Sequence, residues 1–205
     1  MEVVRRESKN KEEALAAILA ELNVNSNEVY FAISENAGSF GKVKYLVSVV
    51  TKYDVKDFIR DYLNKFLEYL DIKNVDIKFK DNGGDLNVYV SSLDEEEARL
   101  LIGKEGKFLK SLQHLLRKAL RNKLGFGIKV NLDIAGYRKH KEEILKREVR
   151  KIAKEVQKTK IDAKLDSMNS YDRRIVHMVV SEFDNVITQS EGEEPNRYVV
   201  IKFKF

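Results

Sequence analysis

At 205 residues the chain is long enough to bury one to three small cores, and with no cysteine it excludes disulfides, thiol catalysis and thiolate metal centres. Its 38 basic and 33 acidic residues give a net charge of +5, with one proline, which describes ordered elements with charged faces rather than a disordered chain. No apolar run approaches the roughly 20 residues of a membrane-spanning helix, and the charged stretch Met1 to Lys11 is not signal-like, so a cytoplasmic location is expected.

Taken in order, residues 2 to 6 read as a short strand, and Asn10 is placed to cap a helix from Lys11 to Leu22 with Leu15, Ile18, Leu19 and Leu22 on one face. Val29 to Ser34 and Val43 to Val50 read as strands joined by a loop from Glu35 to Gly41. In that loop Phe40 is either a packed anchor or an exposed contact. These make a β-α-β-β unit over 1–52. Thr51 to Asp54 then form a brief junction.

From Val55 to Leu70 apolar residues recur at i, i+3, i+4 and i+7, the signature of an amphipathic helix. Val75 to Phe79 and Leu86 to Val90 alternate around the turn Asp81-Asn82-Gly83-Gly84-Asp85, which predicts a hairpin. Asp94 caps a helix that opens with Glu95-Glu96-Glu97 and ends at Gly103. The next helix runs from Lys107 to Leu124, with Lys110, Arg117, Lys118 and Arg121 on its polar face, and Ile128 to Ile134 follow as a strand.

Between these two helices stands Gly103-Lys104-Glu105-Gly106-Lys107. Taken alone, two glycines three apart are more often a plain tight turn. In a helix-to-helix connection they also leave backbone N–H groups near a helix N-terminus and let a sugar-phosphate strand lie close. The window 103–129 carries eight basic residues against the single acid Glu105, the footprint of a phosphate-binding face. The order α-β-β-α-(Gly-x-x-Gly)-α-β over 55–135 resembles a K-homology (KH) domain of bacterial-type topology. That resemblance implies single-stranded nucleic acid held by Gly103, Lys104, Gly106, Lys107 and Lys110, or a KH unit used for protein pairing. Glu105 departs from the usual basic loop and is tolerated where it points away or pairs with Lys107 or Lys110.

The segment 136–205 opens with a long helix from Gly136 to about Lys158. Ten basic residues stand against four acidic ones in 136–160, an excess that favours a nearby polyanion although pairs such as Glu143 with Arg147 absorb part of it. A strand at Ala163 to Asp166 and a helix starting at Asn169 or Ser170 follow. Arg173 and His177, four apart, project from one helical face: a guanidinium fork for phosphate, and an imidazole that donates a further hydrogen bond or stacks on a base. No set of further ligands accompanies His177 for zinc. Acid/base catalysis, or a magnesium site using Ser190-Glu191-Gly192-Glu193-Glu194-Pro195, lacks a nucleophile and a pocket. The residues therefore indicate no enzyme and no cofactor.

Together, Gly136-Tyr137-Arg138, Met168 to His177 and Ser190 to Ile201 resemble the Jag family, the bacterial SpoIIIJ-associated proteins. In that family a Jag N-terminal domain precedes a KH domain and an Arg-xxx-His single-strand-binding domain. Ser170 stands where the family commonly has Pro after Met-Asn, and the link between the first two parts is unusually short. The resemblance implies an α+β protein of three small domains in tandem: 1–52, 55–135, and 136–205 with helices on a three-stranded sheet. It further implies a non-enzymatic regulator of cell elongation and division. Single-stranded RNA is the expected ligand, with single-stranded DNA left open, bound through the Gly-x-x-Gly loop and through Arg138, Arg173 and His177. A small KH-domain protein is the implied heteropartner. A homodimer and membrane-associated division or cell-wall proteins are further partners, the latter making a protein-interaction scaffold the alternative reading.

Overall fold

The structure, a computed structural model, describes residues 1–37 and 43–204 and is of mixed α/β class. Phe40 and its role as loop anchor lie outside the described residues. Two compact units are formed, Met1–Ala135 and Gly136–Phe205.

The first unit begins with β1 (Val4–Ser8), α1 (Lys11–Leu22), β2 (Val29–Ala37) and β3 (Val43–Thr51), the strands in the antiparallel order β1-β3-β2. The side chain of Asn10 accepts from the amides of Glu12 and Glu13, which is why α1 starts where the sequence places it. Ala14 and Ile18 bury against Val29, Val47 and Val49. Two expectations are corrected. The first strand lies two residues later than 2–6, and β2 continues to Ala37, so the first three residues of the expected loop Glu35 to Gly41 are ladder, paired with Val43 to Tyr45.

The junction at Thr51 to Asp54 is the first turn of α2 (Lys52–Glu68), capped by Thr51, whose Oγ1 accepts from the Asp54 amide at 3.0 Å. Strand leads into helix with no intervening linker. The helix ends at Glu68, short of Leu70, because its Tyr69 cap hands the chain to a turn in which Asp71 takes positive φ. Then come β4 (Asp76–Asn82), β5 (Asp85–Ser91), α3 (Glu95–Ile102), α4 (Lys107–Leu124) and β6 (Val130–Ile134). The β4–β5 turn is Gly83-Gly84 with both φ positive, as a two-residue primed hairpin turn requires. β6 pairs parallel with β5 in the sheet β4-β5-β6, with α3 and α4 forming the crossover. Ile59, Leu63, Leu109, Leu116 and Leu120 bury with Leu86, Val88 and Leu132, each worth about 1.5–3 kcal/mol.

Contacts distant in sequence tie the two sheets of this unit together. The Arg5 guanidinium of β1 donates to the carbonyl of Leu124 at 2.9 Å, placing a cation on the C-terminus of α4. The Tyr30 hydroxyl donates to Asp81 at 2.9 Å, and Asp81 also accepts from Lys56 at 2.7 Å.

The second unit comprises α5 (Tyr137–Thr159), β7 (Ala163–Lys164), α6 (Ser170–Val180), β8 (Val186–Glu191) and β9 (Tyr198–Phe203), with strand order β7-β9-β8. β7 is only two residues long, shorter than expected, although the Leu165 amide still donates to Val199 O, in line with its register on β9. Asn169 caps α6, its side chain accepting from the amides of Tyr171 and Asp172. Ser170 at the first helical position therefore fits the cap without proline. Val149, Ala153 and Val156 of α5 and Ile175, Val176 and Val179 of α6 bury against Val199 and Ile201.

Candidate nucleic-acid interface

In the first unit, the turn between α3 and α4 is built by its dihedral angles. Asp94 and Glu97 form a reciprocal capping box at the start of α3, and Gly103 ends that helix at φ 68°, ψ 177°, a region essentially reserved for glycine. A Cβ on Gly103 would lie 2.6 Å from the Cβ of Phe108. Glu105 and Gly106 follow in the left-handed region at φ 55° and 75°. A single turn of 3₁₀ helix, Lys104–Gly106, results, closed by the Gly106 amide donating to Gly103 O at 3.1 Å. The N-terminus of α4 has no side-chain cap and no acid in its first turn, so its positive end is left for an external anion. Phe108 holds that end in place by packing on Phe66 of α2, ring centroids 6.1 Å apart.

Gly103, Lys104, Gly106 and Lys107 thus occupy one turn, with Lys110 one helical turn further on and exposed like Lys104 and Lys107. Glu105 pairs with Lys107 at 3.6 Å with both side chains largely in solvent, one of the arrangements that makes a carboxylate tolerable there. Arg117 is withdrawn from the basic face: its Nε donates to Val130 O at 2.6 Å and its Nη2 to Asn131, while Gln113 accepts from the Leu132 amide. These side chains satisfy the outer edge of β6, a partnership between α4 and a strand that helical periodicity does not disclose.

In the second unit, Arg173 and His177 are one turn apart on α6, but each is held by the protein. The Arg173 side chain is only 10% exposed; Nη1 donates to Met168 O at 2.8 Å and Nη2 to Glu194 Oε1 at 2.8 Å. Since Met168 N in turn donates to Arg197 O, Arg173 joins the cap of α6 to the β8–β9 loop. His177 Nδ1 lies 2.6 Å from Thr188 Oγ1 and Nε2 2.9 Å from Ser190 Oγ, both on β8. A neutral imidazole suits two hydroxyls, donating to one and accepting from the other. Burial, and then the neighbouring Arg173 charge, hold its pKa below the ordinary histidine value. Glu194, considered in sequence as a catalytic or magnesium carboxylate, is instead the partner of Arg173. Thr188 and Ser190 carry no sequence signal beyond alternation on a strand.

Arg138 lies exposed in the first turn of α5; one turn on, Lys141 pairs with Asp172 at 3.2 Å. The pair expected between Glu143 and Arg147 does not form: Glu143 meets Lys139 at 3.9 Å instead. Besides Glu194, the exposed groups around Arg173 are Tyr171, whose hydroxyl donates to Glu142 at 2.8 Å, and Arg174. Among the described residues no three His, Asp or Glu side chains are grouped to hold a metal ion, and no helix is long and apolar enough to cross a membrane.

Comparison with known proteins gives two family matches: "KhpA/KhpB, KH domain" over residues 56–134 and the Arg-xxx-His (R-3-H) domain over 143–203. A protein named RNA-binding protein KhpB in Bacillus subtilis is 31% identical over the full length of both chains. One of the same name in Clostridium symbiosum is 29% identical over all of this chain and 93% of its own. A third, from Streptococcus pneumoniae, is 29% identical over 76% of this chain and 47% of its own.

Proposed function

The chain belongs to the KhpB family, with a KH domain and an Arg-xxx-His domain, and we propose that it is a non-catalytic, cytoplasmic protein binding single-stranded RNA at two places. The first is the turn Gly103 to Lys107, where the uncapped start of α4 and the side chains of Lys104, Lys107 and Lys110 grip phosphodiester backbone. The second is the face of α6 around Arg173 and His177, with Arg138 on α5. There a phosphate competes with Glu194 for the outer edge of the Arg173 fork, and His177 fixes the helix on β8. The segments 1–52, 55–135 and 136–205 serve as three functional domains, the last two carrying the RNA contacts.

The observation that carries this reading is the 103–107 turn. Three left-handed or glycine-only conformations, at Gly103, Glu105 and Gly106, are spent on a connection whose product is a basic helix N-terminus without a side-chain cap. Phosphate contacts position a strand without reading its sequence, so the clamp serves many RNAs. In the cell we place the protein in the control of elongation and division, with a small KH-domain protein as heteropartner, as the family resemblance implies and as the joint family name KhpA/KhpB supports.

A second reading, a scaffold for division or cell-wall proteins, draws on one observation. On the edge strand β2 Phe31 and Ile33 are 46% and 39% exposed, and further along the same ladder Val43 of β3 is 48% exposed. Titration of labelled single-stranded RNA against the full chain tests the first reading. Weakened binding by Lys104→Gln with Lys107→Gln supports it, and RNA binding absent at near-physiological salt in the wild-type protein removes it.

A further inference from the structure

Beyond Arg138 in its first turn, the lysines and arginines of α5 divide into two sets. Lys139, Lys141, Lys146 and Arg150 each have a carboxylate partner, Glu143, Asp172, Glu142 and Glu182 respectively, at 2.6–3.9 Å. Arg147, Lys151, Lys154 and Lys158 have none: no described residue gives any of them an ion pair or side-chain hydrogen bond, and all are exposed. At about 100° per residue these four fall within roughly 60° of arc, opposite the buried Val149, Ala153 and Val156. Their rise of about 1.5 Å per residue puts some 4.5–6 Å between neighbours and about 16 Å between the ends.

Such a row is unfavourable in isolation. Arg147 and Lys151, Lys151 and Lys154, and Lys154 and Lys158 are like charges at i,i+4 or i,i+3, which repel. Glu148 and Glu155, the acids nearest in sequence, stand roughly 40–60° beyond the edge of the row, at i,i+3 or i,i+4 from Lys151 and Lys158; they offset part of the repulsion but form no ion pair with the row among the described residues. A polyanion with regularly spaced charges relieves this repulsion. No aromatic interrupts the row to stack a base, and no apolar side chain flanks it to enter a lipid surface, because the apolar face of α5 is spent in the core.

We infer that Arg147, Lys151, Lys154 and Lys158 form a third RNA contact, a straight, sequence-indifferent track for the phosphodiester backbone of a single strand along the solvent face of α5. It rests on the RNA-binding reading above and adds a linear contact to the second unit. Its spacing, a charge every turn of helix, is of the order of that between neighbouring phosphates of an extended strand.

The test uses the full chain, a fluorescently labelled single-stranded RNA of mixed sequence, and a salt titration. Replacing all four residues by Gln keeps a good helix former at each position and removes only charge. If the four contact phosphate, the slope of log K against log salt falls by about 3, at roughly 0.7 per contact, and affinity at low salt drops about tenfold or more. Thermal stability stays the same or rises. A wild-type protein that binds RNA and a quadruple variant with the same slope and affinity overturns the track and leaves the clamp standing. So does loss of binding to phosphatidylserine-containing vesicles with RNA binding unchanged, which reassigns the row to a membrane surface. A wild-type protein that fails to bind RNA overturns the underlying function, and the track with it.

Discussion

Arg173 and Glu194 meet at 2.8 Å across 21 residues of sequence, and their exposures are unequal: 10% for the arginine side chain and 60% for the glutamate. The guanidinium has already lost most of its water, while its carboxylate partner keeps most of its own. An incoming phosphate therefore replaces a solvated anion rather than stripping a hydrated cation, and it presents oxygens to the same fork. The same contact secures the β8–β9 loop, so on the proposed function Arg173 serves both fold and ligand.

Glu194→Gln separates these two roles. Losing a largely exposed partner costs at most about 1 kcal/mol of stability, and the fork is released for phosphate, so RNA affinity rises several-fold. Weaker binding in parallel with lower stability would make the pair purely structural. Arg173→Ala, by contrast, removes both bonds from a buried site and lowers stability by about 2 kcal/mol, with Arg173→Lys recovering part of it because charge survives but the fork does not. Thermal melts and RNA titrations on the three variants give both readouts.

In the KH turn, Gly103→Ala is expected to cost about 1–3 kcal/mol from backbone strain alone, besides the clash of its Cβ with Phe108 at 2.6 Å. Loss of RNA binding in a glycine variant is thus partly loss of fold. Lys104→Gln, at an exposed position, leaves the melting temperature unchanged and weakens RNA binding. Urea denaturation of both variants checks the contrast, and equal stability loss in the two would contradict it.

His177 links stability to pH. Its folded pKa lies below the ordinary value of 6.5 because of burial and then the Arg173 charge, so the unfolded chain takes up a proton more readily as pH falls. The His177 contribution is complete above about 6.5 and is lost as pH falls below that value towards the folded pKa. Melting temperatures at pH 7.5 and 5.5 should fall more for wild type than for His177→Asn. Equal slopes would show that this ring does not titrate as described.

Asp81 acts in the opposite sense. Burial raises its pKa, but the hydrogen bonds from Lys56 and Tyr30 and the charges of Lys56 and Lys52 outweigh that and hold it below the ordinary carboxylate value. Its contribution is present above about 3.9 and lost as pH falls through the lower folded pKa. At neutral pH Asp81→Asn is expected to cost about 1 kcal/mol, and to loosen the N-terminal sheet from β4. Hydrogen exchange should quicken in β2 and β4; exchange unchanged in both would refute the coupling.

The elements most legible in the sequence are those whose reasons are local. Asn10 and Asp94 announce caps, Gly83-Gly84 a hairpin, and the leucines of α4 a helix read to its boundaries, because each depends on neighbours within a few residues. What escapes is set by partners far away. Arg117 counts as a surface cation until β6 supplies a carbonyl, Arg5 as strand decoration until α4 ends beside it, and Arg147 as half of an ion pair until Lys139 takes Glu143. In the candidate site the spacing of Arg173 and His177 was readable. That Met168, Glu194, Thr188 and Ser190 would claim their hydrogen bonds was not, since a helical face specifies direction but not what lies opposite.

The central claim, that the turn 103–107 holds RNA backbone, is tested most directly by titrating a labelled single-stranded RNA against the full wild-type chain and against Lys104→Gln with Lys107→Gln. The two exposed charges contribute nothing to the core, so the variant should melt at the wild-type temperature, bind about tenfold more weakly and show a salt slope shallower by roughly 1.4. Identical isotherms and identical slopes for a wild-type protein that binds RNA would contradict the claim.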